Sequence, residues 1–153
     1  MKAFSFPLES IRLLRQQRER AAQQRYSRAR MRCDEAERGL KTAHDELTAG
    51  YAALSEALNH ATDIGRLLHL RTWCVVLAAR FHECEAALLA AKNAAAESFD
   101  FLCAATRDRE TLDRFHEKSK HAWQRLCQLS EQKMLDEIAS QRQSPAFEGN
   151  HLN

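Results

Sequence analysis

An all-α fold, a long antiparallel two-helix coiled-coil hairpin with an overhanging C-terminal helix, follows from three observations. No proline interrupts the chain between Pro7 and Pro145, and only four glycines occur in 153 residues. Alanine and leucine dominate while β-branched residues are scarce, which is a long-helix composition. Apolar residues recur at alternating steps of three and four, the period that keeps one seam against a partner helix. The same composition excludes a β-sandwich, a doubly wound α/β enzyme and any Gly-rich phosphate loop. An apolar fraction of 44% argues against wholesale disorder.

The first helix is predicted over residues 8–58. Pro7 suits a helix start, and Phe4 and Phe6 precede it as staple candidates. Cys33, Ala36, Leu40, Ala43, Leu47, Gly50, Leu54 and Ala57 form its seam. Upstream, Leu14, Arg18, Ala22 and Tyr26 step by four, which reads as a stutter. The break falls at residues 59–65, where Asn, Thr, Asp and Gly cluster. Asn59 closes the first helix there, and Thr62 or Asp63 caps the second.

The second helix is predicted over residues 66–142. Its seam runs through Cys74, Leu77, Phe81, Cys84, Leu88, Ala91 and Ala95. It resumes at Leu112, Phe115, Ser119, Ala122, Leu126 and Leu129. A short connection makes the helices antiparallel. With the turn centred near Thr62, Leu8 faces about His116. At a rise of about 1.5 Å per residue, roughly the last 25 residues of the second helix project past the first. The whole of residues 1–142 is one unit on this reading, and the tail 143–153 has too little to pack and is expected to be disordered.

Charge is distributed unevenly. Residues 1–32 carry Lys2 and eight arginines against Glu9 and Glu19, whereas the remainder is net acidic. A basic helical segment of this kind suits docking to an acidic partner. It also imitates a bZIP basic region running into Leu40, Leu47 and Leu54. A second helix with its own seam removes the need for the parallel dimer that a bZIP protein requires, so no nucleic acid is expected.

Five cysteines at 33, 74, 84, 103 and 127 show no CxxC spacing, and no secretory leader is read at the N-terminus. They read as reduced, mostly seam-facing thiols. His82, Glu83, Cys84 and Glu85 are adjacent, and residues one or two apart do not share a helix face. One Asp113–His116 spacing falls short of the paired Glu-x-x-His motifs of a di-iron bundle. No metal, no cofactor and no catalytic residue is therefore expected, and no run is apolar enough to span a membrane. Trp73 near the tip and Trp123 near the overhang are candidate contact anchors, because buried aromatics dominate interface energetics.

Both ends of the chain resemble a known family. The opening Met1-Lys-Ala-Phe-Ser-Phe-Pro-Leu-Glu-Ser-Ile-Arg-Leu-Leu-Arg-Gln-Gln-Arg-Glu19 is similar to the start of FliJ flagellar export proteins. The run Ser130-Glu-Gln-Lys-Met-Leu-Asp-Glu-Ile-Ala139 is similar to the family's ending. The resemblance implies a non-catalytic stalk of the flagellar type III protein export apparatus, needed for flagellum assembly, motility and chemotaxis. Its expected partners are the hexameric flagellar export ATPase, the export gate membrane protein and export chaperones. Its expected place is cytoplasmic, peripheral to the inner membrane. On this reading Phe4, Phe6, Arg12, Arg15, Arg18, Arg25, Arg28, Phe115 and Trp123 face the ATPase, and Trp73 and Leu77 face the gate. The alternatives are the stalk of a virulence-type secretion ATPase, a basic coiled coil that binds nucleic acid, and a purely structural coiled-coil oligomer. The aromatic pair Phe4 and Phe6 speaks against nucleic acid, since a DNA-contacting basic region has no clear use for it.

Overall fold

A computed structural model describes residues 3–60 and 63–143. Two long helices pack against each other, α1 (Glu9–Asn59) and α2 (Ile64–Gln143), and no strand occurs among the described residues. The bounds differ from the sequence-predicted ones by one or two residues. The centre of the expected turn, with Thr62, and the tail from Ser144 lie outside the described residues.

Both helix starts have a local cause. Pro7 lacks an N–H, and the first donors turn back to residues around it. The Glu9 N–H donates to the Phe6 carbonyl at 3.2 Å and the Arg12 N–H to the Leu8 carbonyl at 2.9 Å. At α2, the Leu67 N–H donates to the Asp63 carbonyl at 3.2 Å, so Asp63 takes the capping position.

The chain divides into two compact units, a middle unit of Arg15–Arg107 and a terminal unit of Met1–Leu14 with Asp108–Asn153. In the middle unit the α1 seam runs through Arg15, Glu19, Ala22, Tyr26, Ala29 and Cys33, then on through the predicted residues to Ala57. The expected stutter is thus corrected. Leu14 is exposed, as is Arg18, and the three–four rhythm is unbroken because the aliphatic stems of Arg15 and Glu19 cover seam positions. The α2 seam from Cys74 to Ala95 is as read, and continues through Ser98, Leu102 and Ala105.

Cross-helix pairs fix the antiparallel register. In the middle unit, Arg80 meets Glu46 at 2.9 Å, His44 lies 5.9 Å from Phe81, and Tyr26 lies 5.4 Å from Phe99, the last two between ring centroids. One backbone approach depends on glycine. A Cβ at Gly50 would stand 2.8 Å from Leu77 Cδ1 and 3.5 Å from Cys74 Sγ. The apolar core is thin, consisting of Phe6, Leu77 and otherwise of Ala and Cys side chains. Two helices alone leave each seam residue open on its flanks, so many large apolar residues stay in water.

In the terminal unit the α2 seam is Arg109, Leu112, His116, Ser119, Trp123 and Cys127. This corrects the sequence reading, in which Phe115, Ala122, Leu126 and Leu129 took these positions. Continuing the three–four steps from Ser98 places His116 and Trp123 inward. Phe115 is 49% exposed and Leu126 64%. Every side chain from Glu131 to Gln141 is exposed.

Candidate protein-docking surfaces

The segment Ala3–Phe6 is not helical, and both of its aromatic rings reach α2. The Phe6 ring stands 5.0 Å from His116, edge to face, and 5.7 Å from Phe115. The Phe4 ring stands 5.6 Å from His116 and 5.8 Å from Trp123. Quadrupolar attraction favours such tilted and T-shaped pairs. Phe4, Phe6, Phe115 and Trp123, singled out in the sequence for a partner, are therefore brought together, and Phe6 is itself buried. At their centre stands His116, which the sequence reading weighed only as half of an Asp113–His116 metal spacing. Its place four residues after the seam residue Leu112 is the signal that could have found it.

An ionic bridge closes the same unit. Arg12 Nε donates to Asp113 Oδ1 at 3.0 Å, and Arg109 Nη1 to Asp113 Oδ2 at 2.7 Å. Arg12 Nη1 also donates to both carboxylate oxygens of Glu9. Arg12 thus spends its charge inside the unit. Outward the unit exposes large apolar side chains among its charges. Leu126, Leu129, Met134, Leu135 and Ile138 are each about half or more exposed. Glu131, Met134, Leu135 and Ile138 share one face of α2 by their spacing.

The middle unit presents the other predicted residues. Arg15 is half-buried in the seam, whereas Arg18, Arg25 and Arg28 are exposed. The Arg25 guanidinium lies 5.0 Å from the centroid of the Phe101 ring. Trp73 is 51% exposed, together with Val76 one turn on. Leu77 is corrected: it is 4% exposed, packed against Gly50, and gives a partner nothing to touch.

Among the described residues no three His, Cys, Asp or Glu side chains gather as metal ligands do. All five cysteines are free thiols, with Cys33 and Cys74 buried in the seam. Among the described residues no helix is long and apolar enough to cross a membrane. The described surfaces thus combine the exposed Trp73, large apolar side chains at the end of α2, and the exposed Arg18, Arg25 and Arg28.

The chain matches no curated protein and no solved structure. The family model described as "Flagellar FliJ protein" matches residues 4–145, which takes in both helices and the aromatic segment before α1. The chain belongs to the flagellar FliJ family and is a component related to flagellar protein export.

Proposed function

We propose that this protein is the non-catalytic stalk of the flagellar type III export ATPase, which promotes assembly of the hexameric ring and its turnover and links it to the export gate and chaperones. The observation that carries this reading is the set of large apolar side chains left exposed among the charges at the end of α2, Leu126, Leu129, Met134, Leu135 and Ile138, within the unit that holds the N-terminal aromatic segment. Five large apolar side chains in water over 13 residues are costly and suit a protein partner that covers them, as a pore would. Phe4, Phe6, Phe115 and Trp123 shape that unit, and Arg12 fixes it through Asp113. Arg15, Arg18, Arg25 and Arg28 of the middle unit add long-range attraction to an acidic partner. The exposed Trp73 is the anchor for the gate.

The test is titration into the export ATPase of the same organism, with ATP turnover and ring formation followed together. Saturable stimulation is expected. Leu135→Glu with Ile138→Glu should abolish it, because both side chains are already in water in the free chain and the change acts on the complex alone. No effect of the wild-type chain at several-fold excess over the ATPase would overturn the stalk reading.

A further inference from the structure

The middle unit carries a groove beside its seam whose lining fits neither tight packing nor plain solvation. It has a volume of about 580 Å³ and is lined on α1 by Ala21, Arg25, Arg28, Ala29 and Arg32, among others, and on α2 by Ala91, Ala94, Glu97 and Ser98. The three arginines step by three and four, so they form one stripe along α1. The floor is small and satisfied. Ala29 and Ser98 are buried, and the Ser98 hydroxyl donates to the Ala94 carbonyl at 2.8 Å. No large side chain fills the space. Arg28 and Arg32 hold no carboxylate among the described residues, and Arg25 is steadied over Phe101. Three cations face the groove against the single carboxylate of Glu97.

We infer that this groove seats an acidic amphipathic helix of a partner protein. Alanine on both walls lets a third helix come close, and close approach needs only small residues on the incoming ridge. Carboxylates at steps of three and four along the incoming edge would meet Arg25, Arg28 and Arg32, as planar guanidinium groups bind carboxylates in a paired geometry. The charge complementarity selects the occupant. A nucleic-acid strand would need a longer track of cations with stacking rings along it, and the floor here is alanine. The inference goes beyond the ATPase reading and does not depend on it.

The experiment uses the full chain and a fluorescent helical peptide of about 20 residues, long enough to hold a helix, with Glu at steps of three and four beside an Ala/Leu face. Binding is read by anisotropy, with circular dichroism confirming that each variant is folded. Arg28→Glu with Arg32→Glu should weaken binding about tenfold or more. Ala94→Trp, which fills the groove and leaves the charge unchanged, should do the same. Arg20→Glu with Arg30→Glu makes the same change of charge outside this groove and should cost about threefold or less. Equal losses in both charge-reversed pairs, or undiminished binding by Ala94→Trp, would overturn the inference. So would a single-stranded oligonucleotide that binds more tightly than the peptide, or a self-association that Ala94→Trp abolishes.

Discussion

Gly50 and Gly39 lie on the same helix and differ in one respect, which makes them a paired test of the seam. A Cβ at Gly39 meets nothing within 4 Å, whereas a Cβ at Gly50 meets Leu77 Cδ1 at 2.8 Å. Alanine is favoured over glycine inside a helix by about 0.8–1.0 kcal/mol. Gly39→Ala should realise that gain in full. For a chain of this size it raises the thermal midpoint by roughly 2–4 °C. Gly50→Ala has the same propensity gain, but Leu77 must give way in a seam where it is 4% exposed. Overpacking of this kind costs about 1–3 kcal/mol, so the net change is a loss of about 0–2 kcal/mol. Leu77→Ala alone removes a buried side chain, at about 2–4 kcal/mol. In the double variant the new methyl enters the space that Leu77 vacates. The double-mutant cycle should therefore show a favourable coupling of about 1 kcal/mol or more. Unfolding followed by far-ultraviolet circular dichroism measures all four proteins. If Gly50→Ala raises the midpoint as far as Gly39→Ala, or the cycle shows no coupling, the close approach of the helices at this level is refuted.

Three further outcomes follow from the packing. Asp113→Asn takes the carboxylate from Arg12 and Arg109, whose side chains keep only about a quarter of their exposure; denaturant unfolding should show a loss of about 1–2 kcal/mol, less at high salt. Phe6→Ala removes the ring that stands edge-on to His116. Because the ring is buried, stability should fall by about 3 kcal/mol, and the His116 ring protons should shift in the nuclear magnetic resonance spectrum. Glu46→Ala should be nearly silent, within about 0.5 kcal/mol in thermal unfolding, because its pair with Arg80 is solvent-exposed.

Helix content, the break and most of the seam were legible because each is written in spacing. A run without proline and a three–four rhythm leave few alternatives. What misled the reading was the identity of single residues. Leu14 and Phe115 look like core, yet each lies one position away from the seam that the helical repeat dictates. Arg15, Glu19 and His116 look like surface and occupy it. Geometry outranks hydrophobicity here because a long polar side chain can lay its stem across a seam, whereas a helix cannot rotate locally to bury one leucine. The same cause hid the aromatic cluster. Phe4 and Phe6 could be seen as a pair, but not that their partners lay more than a hundred residues away in the chain. Leu77 was misassigned for the opposite reason. Its place in the seam was legible, but a contact role was laid over it by its nearness to Trp73.

The bridge between Arg12 and Asp113 joins residues 101 positions apart. Every pair closer to the connection spans less chain than this one. Arg80 and Glu46 are separated by 34 positions. The entropy of closing a loop grows with its length, so pairing that starts beside the connection and advances outward always meets the smallest remaining cost. The pairing should close like a zip, with the level of Arg12 and Asp113 meeting late, and by reversibility it should part early. Amide hydrogen exchange should accordingly be slower near Cys74 and Leu77 than around Phe6 and His116; equal protection at the two levels would contradict this order. A partner that grips Phe6 and His116 would then act on the pairing that forms last.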